Sequence, residues 1–172
     1  MEIREAAGLI RCPEVDGARA DWCDLGCGVG IFTLALAELL EPGSAIYAVD
    51  RDRRALALLP KLHHGVSIRA VEADFTQGYA LPAVSGVLMA NSLHFAEDQR
   101  GMLRMARTAQ ARLLIVEYET SAANAFCPYP IGYARLCDEL AEAGYATARR
   151  IGVRPSRFGG VMYAAWADVS PP

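Results

Sequence analysis

The stretch Asp24-Leu25-Gly26-Cys27-Gly28-Val29-Gly30-Ile31-Phe32-Thr33 decides how this chain is read. A short apolar segment, near Ala20–Leu25, precedes it, and the helix-like run TLALAELL begins inside it. Glycine at alternate positions 26, 28 and 30 lets the backbone turn sharply and lets a ligand lie against main-chain atoms. A strand, a glycine turn and a helix start together form a nucleotide-type pocket. The spacing separates two classes of nucleotide. A dinucleotide fingerprint, G-x-G-x-x-G/A, needs glycine or alanine at its third position. Counted from Gly26 that position is Ile31, and counted from Gly28 it is Thr33, so neither frame fits.

Composition bounds the rest. A length of 172 residues corresponds to a single domain, and 53% hydrophobic residues suffice for a full core. The net charge of -3 supplies no basic field for nucleic acid or anionic membrane. No apolar run approaches a membrane-spanning length, and the charged N-terminus MEIREAAGLIRC has no signal-peptide core, so a cytoplasmic location is expected. Cys12, Cys23, Cys27, Cys127 and Cys137 contain no C-x-x-C pair; small apolar residues in a reducing compartment are expected, with no metal. The sequence leaves the oligomeric state open, a homodimer included.

Apolar and amphipathic segments alternate, as in repeated β-α units over a parallel sheet. Strands are expected at Ala45–Asp50, Val66–Val71, Gly86–Asn91, Arg112–Tyr118, Tyr145–Val153 and Val161–Val169. Helices are expected near Gly30–Leu40, over RRALALLPKL with an interruption at Pro60, and at Glu97–Ala109 and Ile131–Ala143. Asp50 ends the second strand, about twenty residues past the glycine turn, where a carboxylate suits a ribose diol. That placement serves several nucleotides alike. His63 and His64 fall in a helix–strand loop and are expected to face solvent.

The pattern G-x-G-x-G with Asp24 two residues ahead resembles the first motif of the class I S-adenosylmethionine-dependent methyltransferases. The resemblance runs from about Asp21 to Asp168 and implies a three-layer, Rossmann-like α/β fold. Its sheet has seven mostly parallel strands, helices on both faces and an antiparallel last strand. Residues 1–172 are then one domain, with a short N-terminal cap over 1–19 where many relatives carry extra helices. The family's cofactor, S-adenosylmethionine, would lie on Asp24, Gly26, Cys27, Gly28 and Gly30, with its ribose on Asp50. Asp74, at the end of the third strand, resembles the acid that reads adenine, with Phe75 beside the base; Arg51 stands where relatives often carry an apolar residue, either to stack on the base or to point to water.

Met89–Phe95, MANSLHF, resembles the small-molecule branch of the family and lacks the [DN]-P-P-[YF] tetrapeptide of many amino-nitrogen methylases. Asn91 and Ser92 are polar liners, and His94 is the candidate general base, since an imidazole accepts protons near neutral pH. Glu117 and Tyr118 reach the same rim, Glu117 to orient an acceptor or to cap a loop. Tyr129 and Tyr133, in FCPYPIGY, either cover the acceptor or pack the following helix. The expected reaction is methyl transfer to a small acceptor, without nucleic acid or membrane insertion. Two alternatives are a non-catalytic cofactor-binding module serving a partner, and an NAD-dependent oxidoreductase. The absence of a Tyr-x-x-x-Lys pair at Lys61, the only lysine, argues against the latter.

Overall fold

The computed structural model describes residues 1–156 and 160–169. Its strands are β1 (Trp22–Leu25), β2 (Ala45–Asp50), β3 (Leu62–His63), β4 (Val66–Glu72), β5 (Gly86–Ala90), β6 (Arg112–Tyr118), β7 (Tyr145–Pro155) and β8 (Val161–Val169). They form one sheet in the order β3-β4-β2-β1-β5-β6-β8-β7. The strands β1, β2, β4, β5 and β6 pair in parallel, while β8 runs antiparallel to β6 and β7. The expected sheet of seven strands therefore becomes one of eight. The extra member is β3, a two-residue strand that folds back antiparallel on β4.

Helices α1 (Ile3–Ile10) and α2 (Ile31–Leu39) cover one face, and α4 (Gln99–Thr108) and α5 (Tyr133–Glu142) the other. Sandwiching explains the composition of the central strands: all four residues of β1 are buried, so no polar alternation appears. Among the described residues no helix is long and apolar enough to cross a membrane. Helix α3 (Arg53–Leu56) is much shorter than its sequence pattern suggests. Asp52 caps it, accepting from the amides of Arg54 and Ala55, and the chain leaves the helix well before Pro60. Leu59 then turns back over Gly30, where an added Cβ would lie 2.1 Å from its Cδ2.

The N-terminal cap holds a helix that the sequence reading did not specify. In α1, Glu2 and Glu5 form a reciprocal capping box, and Ala6, Ala7, Leu9 and Ile10 are buried. Its backbone meets β7 at Gly152, where a Cβ would stand 2.3 Å from the Leu9 carbonyl oxygen. Ion pairs Arg154–Glu5 (2.9 Å) and Arg149–Glu14 fasten the segment to the same strand.

Trp22 and Trp166 anchor this face, both fully buried with ring centroids 6.1 Å apart. The Trp22 ring lies against the backbone of Gly86 on the neighbouring strand, and a Cβ there would sit 2.6 Å from the ring. Gly86→Ala should therefore overpack the core and lower the unfolding free energy by about 1–3 kcal/mol, read from urea denaturation. An unchanged midpoint would show that the Trp22 ring moves aside freely.

Candidate functional site

The carboxyl end of the sheet between β1 and β5 is where the strand order reverses, and open α/β sheets bind ligands at such points. Beyond β1 the chain doubles back at Gly26, whose φ of 77° belongs to the left-handed region. The amides of Gly26 and Cys27 both donate to the Val49 carbonyl, at 2.8 and 3.0 Å, which hooks the turn onto the end of β2. A Cβ on Gly26 would lie 2.6 Å from Ser92 Cβ and 3.0 Å from the Phe75 ring, so the turn fits only glycine. Gly30 caps α2 in the same left-handed conformation and sits under Leu59, while its neighbours Val29 and Ile31 line the first cavity described below.

Asp50 closes this arrangement. Its Oδ2 accepts the Gly28 amide at 2.7 Å, and its Oδ1 the Asp52 amide at 2.8 Å. Each carboxylate oxygen keeps a second lone pair, so a diol can still donate to the fixed group. A narrow slot of about 60 Å³ lies beside it, lined by Gly26, Asp50, Arg51, Asp74, Phe75 and Phe95 among others. Asp74 Oδ1 takes the Thr76 amide and hydroxyl at 3.0 and 2.6 Å, while Oδ2 faces Arg51 Nη1 at 3.7 Å. The Thr76 hydroxyl above all holds the Asp74 carboxyl below the usual carboxylate range. The three strand-end features named from the sequence, the glycine turn, Asp50 and Asp74, thus converge on one place.

A cavity of about 550 Å³ opens on the other side of the turn. Asp24, Cys27, Gly28, Asn91 and Tyr118 line it, joined by Met1, Glu5 and Arg154. These last three were missed in the sequence; only the Glu2–Glu5 capping box hinted at an ordered element there. Asp24 is 1% exposed. Its Oδ2 accepts the Thr33 hydroxyl at 2.6 Å, but its buried Oδ1 has no hydrogen-bond partner among the described residues. Burial pushes its pKa up to about 7, the Asp50 charge adds to the rise, and the Thr33 hydroxyl opposes it. Asn91 has the same unfinished character: φ is 52°, and its buried Oδ1 is also without a partner among the described residues. Two orphaned acceptors in one cavity fit a ligand that carries an ammonium group. The Cys27 thiol is pushed up by burial and by the Asp24 and Asp50 charges, so it stays protonated.

A second cavity, of about 690 Å³, shares Asn91 and Tyr118 with the first and adds His94, Phe95, Phe126 and Cys127. His94 Nδ1 and Glu117 Oε2 are 2.6 Å apart, both side chains at most 2% exposed. The Glu117 Oε1 also accepts the His94 amide at 3.1 Å. Glu117 lines neither cavity; it orients the imidazole rather than an acceptor, and leaves Nε2 for the cavity. The Tyr129 amide donates to the His94 carbonyl, and Gln99 Nε2 donates to the Leu93 and Tyr129 carbonyls, which clamps the loop.

Three expected liners stand elsewhere. The Ser92 hydroxyl is used on the Leu25 carbonyl, 2.6 Å away, as a strut between β5 and β1. Tyr133 stacks under the Arg150 guanidinium at 4.1 Å and edges onto Tyr163, packing α5 on the sheet. The Tyr129 ring lies in a separate open groove with Glu119 and Pro130.

Because folding raises the Asp24 pKa, this group's contribution to stability is fully present below the unfolded carboxyl value and is lost as pH rises through about 7. Asp24→Asn removes the buried charge and can keep a hydrogen bond from Thr33. Its Tm should exceed the parent's at pH 8 by a few degrees, about 2–4 °C per kcal/mol, with the difference shrinking toward pH 4. A parent Tm equal to the variant's at both pH values would show that Asp24 carries no such penalty.

Residues 23–113, just over half of the chain, match the family described as methyltransferase domain. The cypemycin N-terminal methyltransferase of a Streptomyces species is 31% identical in an alignment of 126 positions that covers 66% of this chain. The chain spans only 50% of that relative's length. Among solved structures, the arsenic(III) S-adenosylmethionine methyltransferase of Chlamydomonas reinhardtii superposes with a TM-score of 0.73 at 11% identity, covering 99% of this chain and 74% of that one. The 1,6-didemethyltoxoflavin-N1-methyltransferase of Burkholderia thailandensis, solved with S-adenosylhomocysteine, gives 0.69 at 19% identity, covering 98% and 78%. At these identities the structures share the fold. With the glycine turn, Asp50 and Asp74 gathered at one end of that fold and the family match spanning them, the chain belongs to the class I S-adenosylmethionine-dependent methyltransferases.

Proposed function

We propose that this chain transfers a methyl group from S-adenosylmethionine to a small-molecule acceptor, with donor and acceptor meeting at the wall formed by Asn91 and Tyr118. The observation that carries the reading is that these two residues line both cavities, one floored by the glycine turn and the other holding the His94–Glu117 pair. Asp50 would hold the ribose and Asp74 with Phe75 the adenine. The unpaired Asp24 and Asn91 oxygens would take the amino-acid end. When bound, the cofactor supplies a methyl group on a sulfonium, whose departing thioether is neutral.

The protein's part is then mostly positioning. Holding the reacting groups in line lowers a barrier by as much as about 7–11 kcal/mol. His94 adds proton removal for an acceptor that carries a dissociable proton. Glu117 fixes the ring so that Nε2 receives that proton, and it stabilises the imidazolium that results. Tyr118 and Phe95 lie within 5.9 Å of the imidazole, centroid to centroid, and exclude water from one side. Two of the related enzymes are an arsenic(III) methyltransferase and a 1,6-didemethyltoxoflavin-N1-methyltransferase, which supports small acceptors as the class. The free state of all five cysteines fits a reducing, cytoplasmic setting.

Cofactor binding is checked by calorimetry with S-adenosylhomocysteine. Asp50→Ala should weaken it by about 2–4 kcal/mol through the lost diol contacts, and Asp24→Asn by about 10–100-fold. Unchanged affinities would remove these residues from the site, and stabilisation by NADH alone would favour an oxidoreductase. Turnover is checked by mass spectrometry after incubation with labelled cofactor and a metabolite extract. His94→Ala should slow product formation by about 10²–10⁴-fold at unaltered cofactor affinity. Glu117→Gln should displace the acidic limb of the pH–rate profile rather than cofactor binding. Cofactor binding without any methylated product would identify a binding module instead.

A further inference from the structure

The structure assigns a divalent-metal site to Glu38, His63 and His64, at the end of the sheet opposite the cofactor cleft. The site is built by the β3–β4 hairpin and the last turn of α2. In the hairpin His63 pairs with Val66, so His64 and Gly65 form a two-residue turn. Both have positive φ, 49° and 78°. Glycine adopts that conformation readily, whereas a histidine there is strained unless its surroundings hold it. Along an extended chain successive side chains point to opposite faces. The left-handed turn at His64 breaks the alternation, and the two imidazoles lie with centroids 4.6 Å apart.

Glu38 reaches the same spot from α2. Its Oε1 is 3.8 Å from His63 Nε2, too far for a hydrogen bond. His63 Nε2 is buried and has no hydrogen-bond partner among the described residues. One potential ligand atom from each of the three residues lies within 4.8 Å of the others. The hairpin is braced from outside: the Gly43 amide donates to the Gly65 carbonyl at 2.9 Å, and a Cβ on Gly65 would lie 2.8 Å from Pro42 Cβ. A buried ring nitrogen without a donor or acceptor is what a metal ligand looks like before the ion arrives. The side chains of His63 and Glu38 are 24% and 25% exposed, which leaves the ion an entry path.

Two imidazoles and one carboxylate select a borderline ion such as Zn²⁺ over Mg²⁺ or Ca²⁺. With bonds of about 2.0–2.2 Å, the ligand atoms around a tetrahedral ion stand about 3.4 Å apart. Small side-chain rotations bring the present arrangement to that spacing, with water in the fourth position. The bound ion would tie the end of α2 to β3, the two-residue strand at the edge of the sheet.

The test is titration of the metal-stripped full chain with Zn²⁺ against a chromophoric chelator, in excess Mg²⁺. One saturable Zn²⁺ equivalent is expected, with a rise in Tm. His63→Ala should weaken that site by more than about 100-fold, since loss of even an outer partner of a metal ligand costs about 10–100-fold. Glu38→Gln, which preserves shape, should weaken it too and serves if His63→Ala fails to fold; S-adenosylhomocysteine affinity reports folding in both. Absence of a saturable site, or binding unchanged in the folded variants because Cys27 or Cys137 holds the ion, overturns the assignment. Neither outcome touches the methyl-transfer reading, which rests on the other end of the sheet.

Discussion

The cofactor end of the molecule depends on the Val49 carbonyl, which accepts two successive amides from the glycine turn. That bifurcated bond fixes the end of β1 to the end of β2, and everything the site needs follows from the tie. It sets Gly28 where its amide meets Asp50, and so fixes the Asp50 carboxylate. It presses Gly26 against Ser92 and Phe75, so that the exits of β5 and β4 pack on the same turn. The Ser92 hydroxyl bonded to the Leu25 carbonyl completes the junction. A side chain at Gly26 would have no space, and the strand ends would separate.

Around this junction the protein keeps polar groups unsatisfied. Buried Asp24 and Asn91 each present an oxygen without a partner among the described residues, and Asp24 is raised to a pKa of about 7. Unpaired buried acceptors cost about 1–3 kcal/mol each in the free protein. They persist because the surrounding sheet is rigid enough to enforce them, and a ligand with a matching donor recovers the lost hydrogen bonds. The same reasoning applies to His63 Nε2 at the far end, where a metal ion in place of an ammonium group would supply the missing partner.

His94 and Glu117 show the opposite arrangement: a polar pair satisfied internally, with one nitrogen left over for the cavity. The two residues are 23 positions apart and come from different strand ends. Their pairing makes Glu117 a partner of His94, where the sequence leaves open whether it orients an acceptor or caps a loop. Side chains whose hydroxyl or ring already has a partner within the fold stand outside both cavities: Ser92, expected as a liner, and Tyr133, for which packing the following helix was the alternative. Ser92 is taken by a carbonyl, and Tyr133 by a guanidinium and a second ring.

What the sequence determined alone was local or periodic. The runs AIYAVD and RLLIVEY are continuous apolar segments fit only for a doubly covered sheet, and they form β2 and β6 with the expected bounds. The turn at Gly26 and Gly28 was legible because positive φ is a property of the residue itself, and Asp50 was legible as a strand end because strand length places it. Tertiary structure alone decided the rest. Residues far apart in the chain had to meet before Glu5 could reach Arg154, or His94 reach Glu117. Whether Ser92 faced ligand or carbonyl depended on the approach of β1 to β5, and the short α3 on Leu59 folding over Gly30. Propensity and spacing encode the turn and the strand. Which side chains are already satisfied, and which wait for a ligand, is a property of packing.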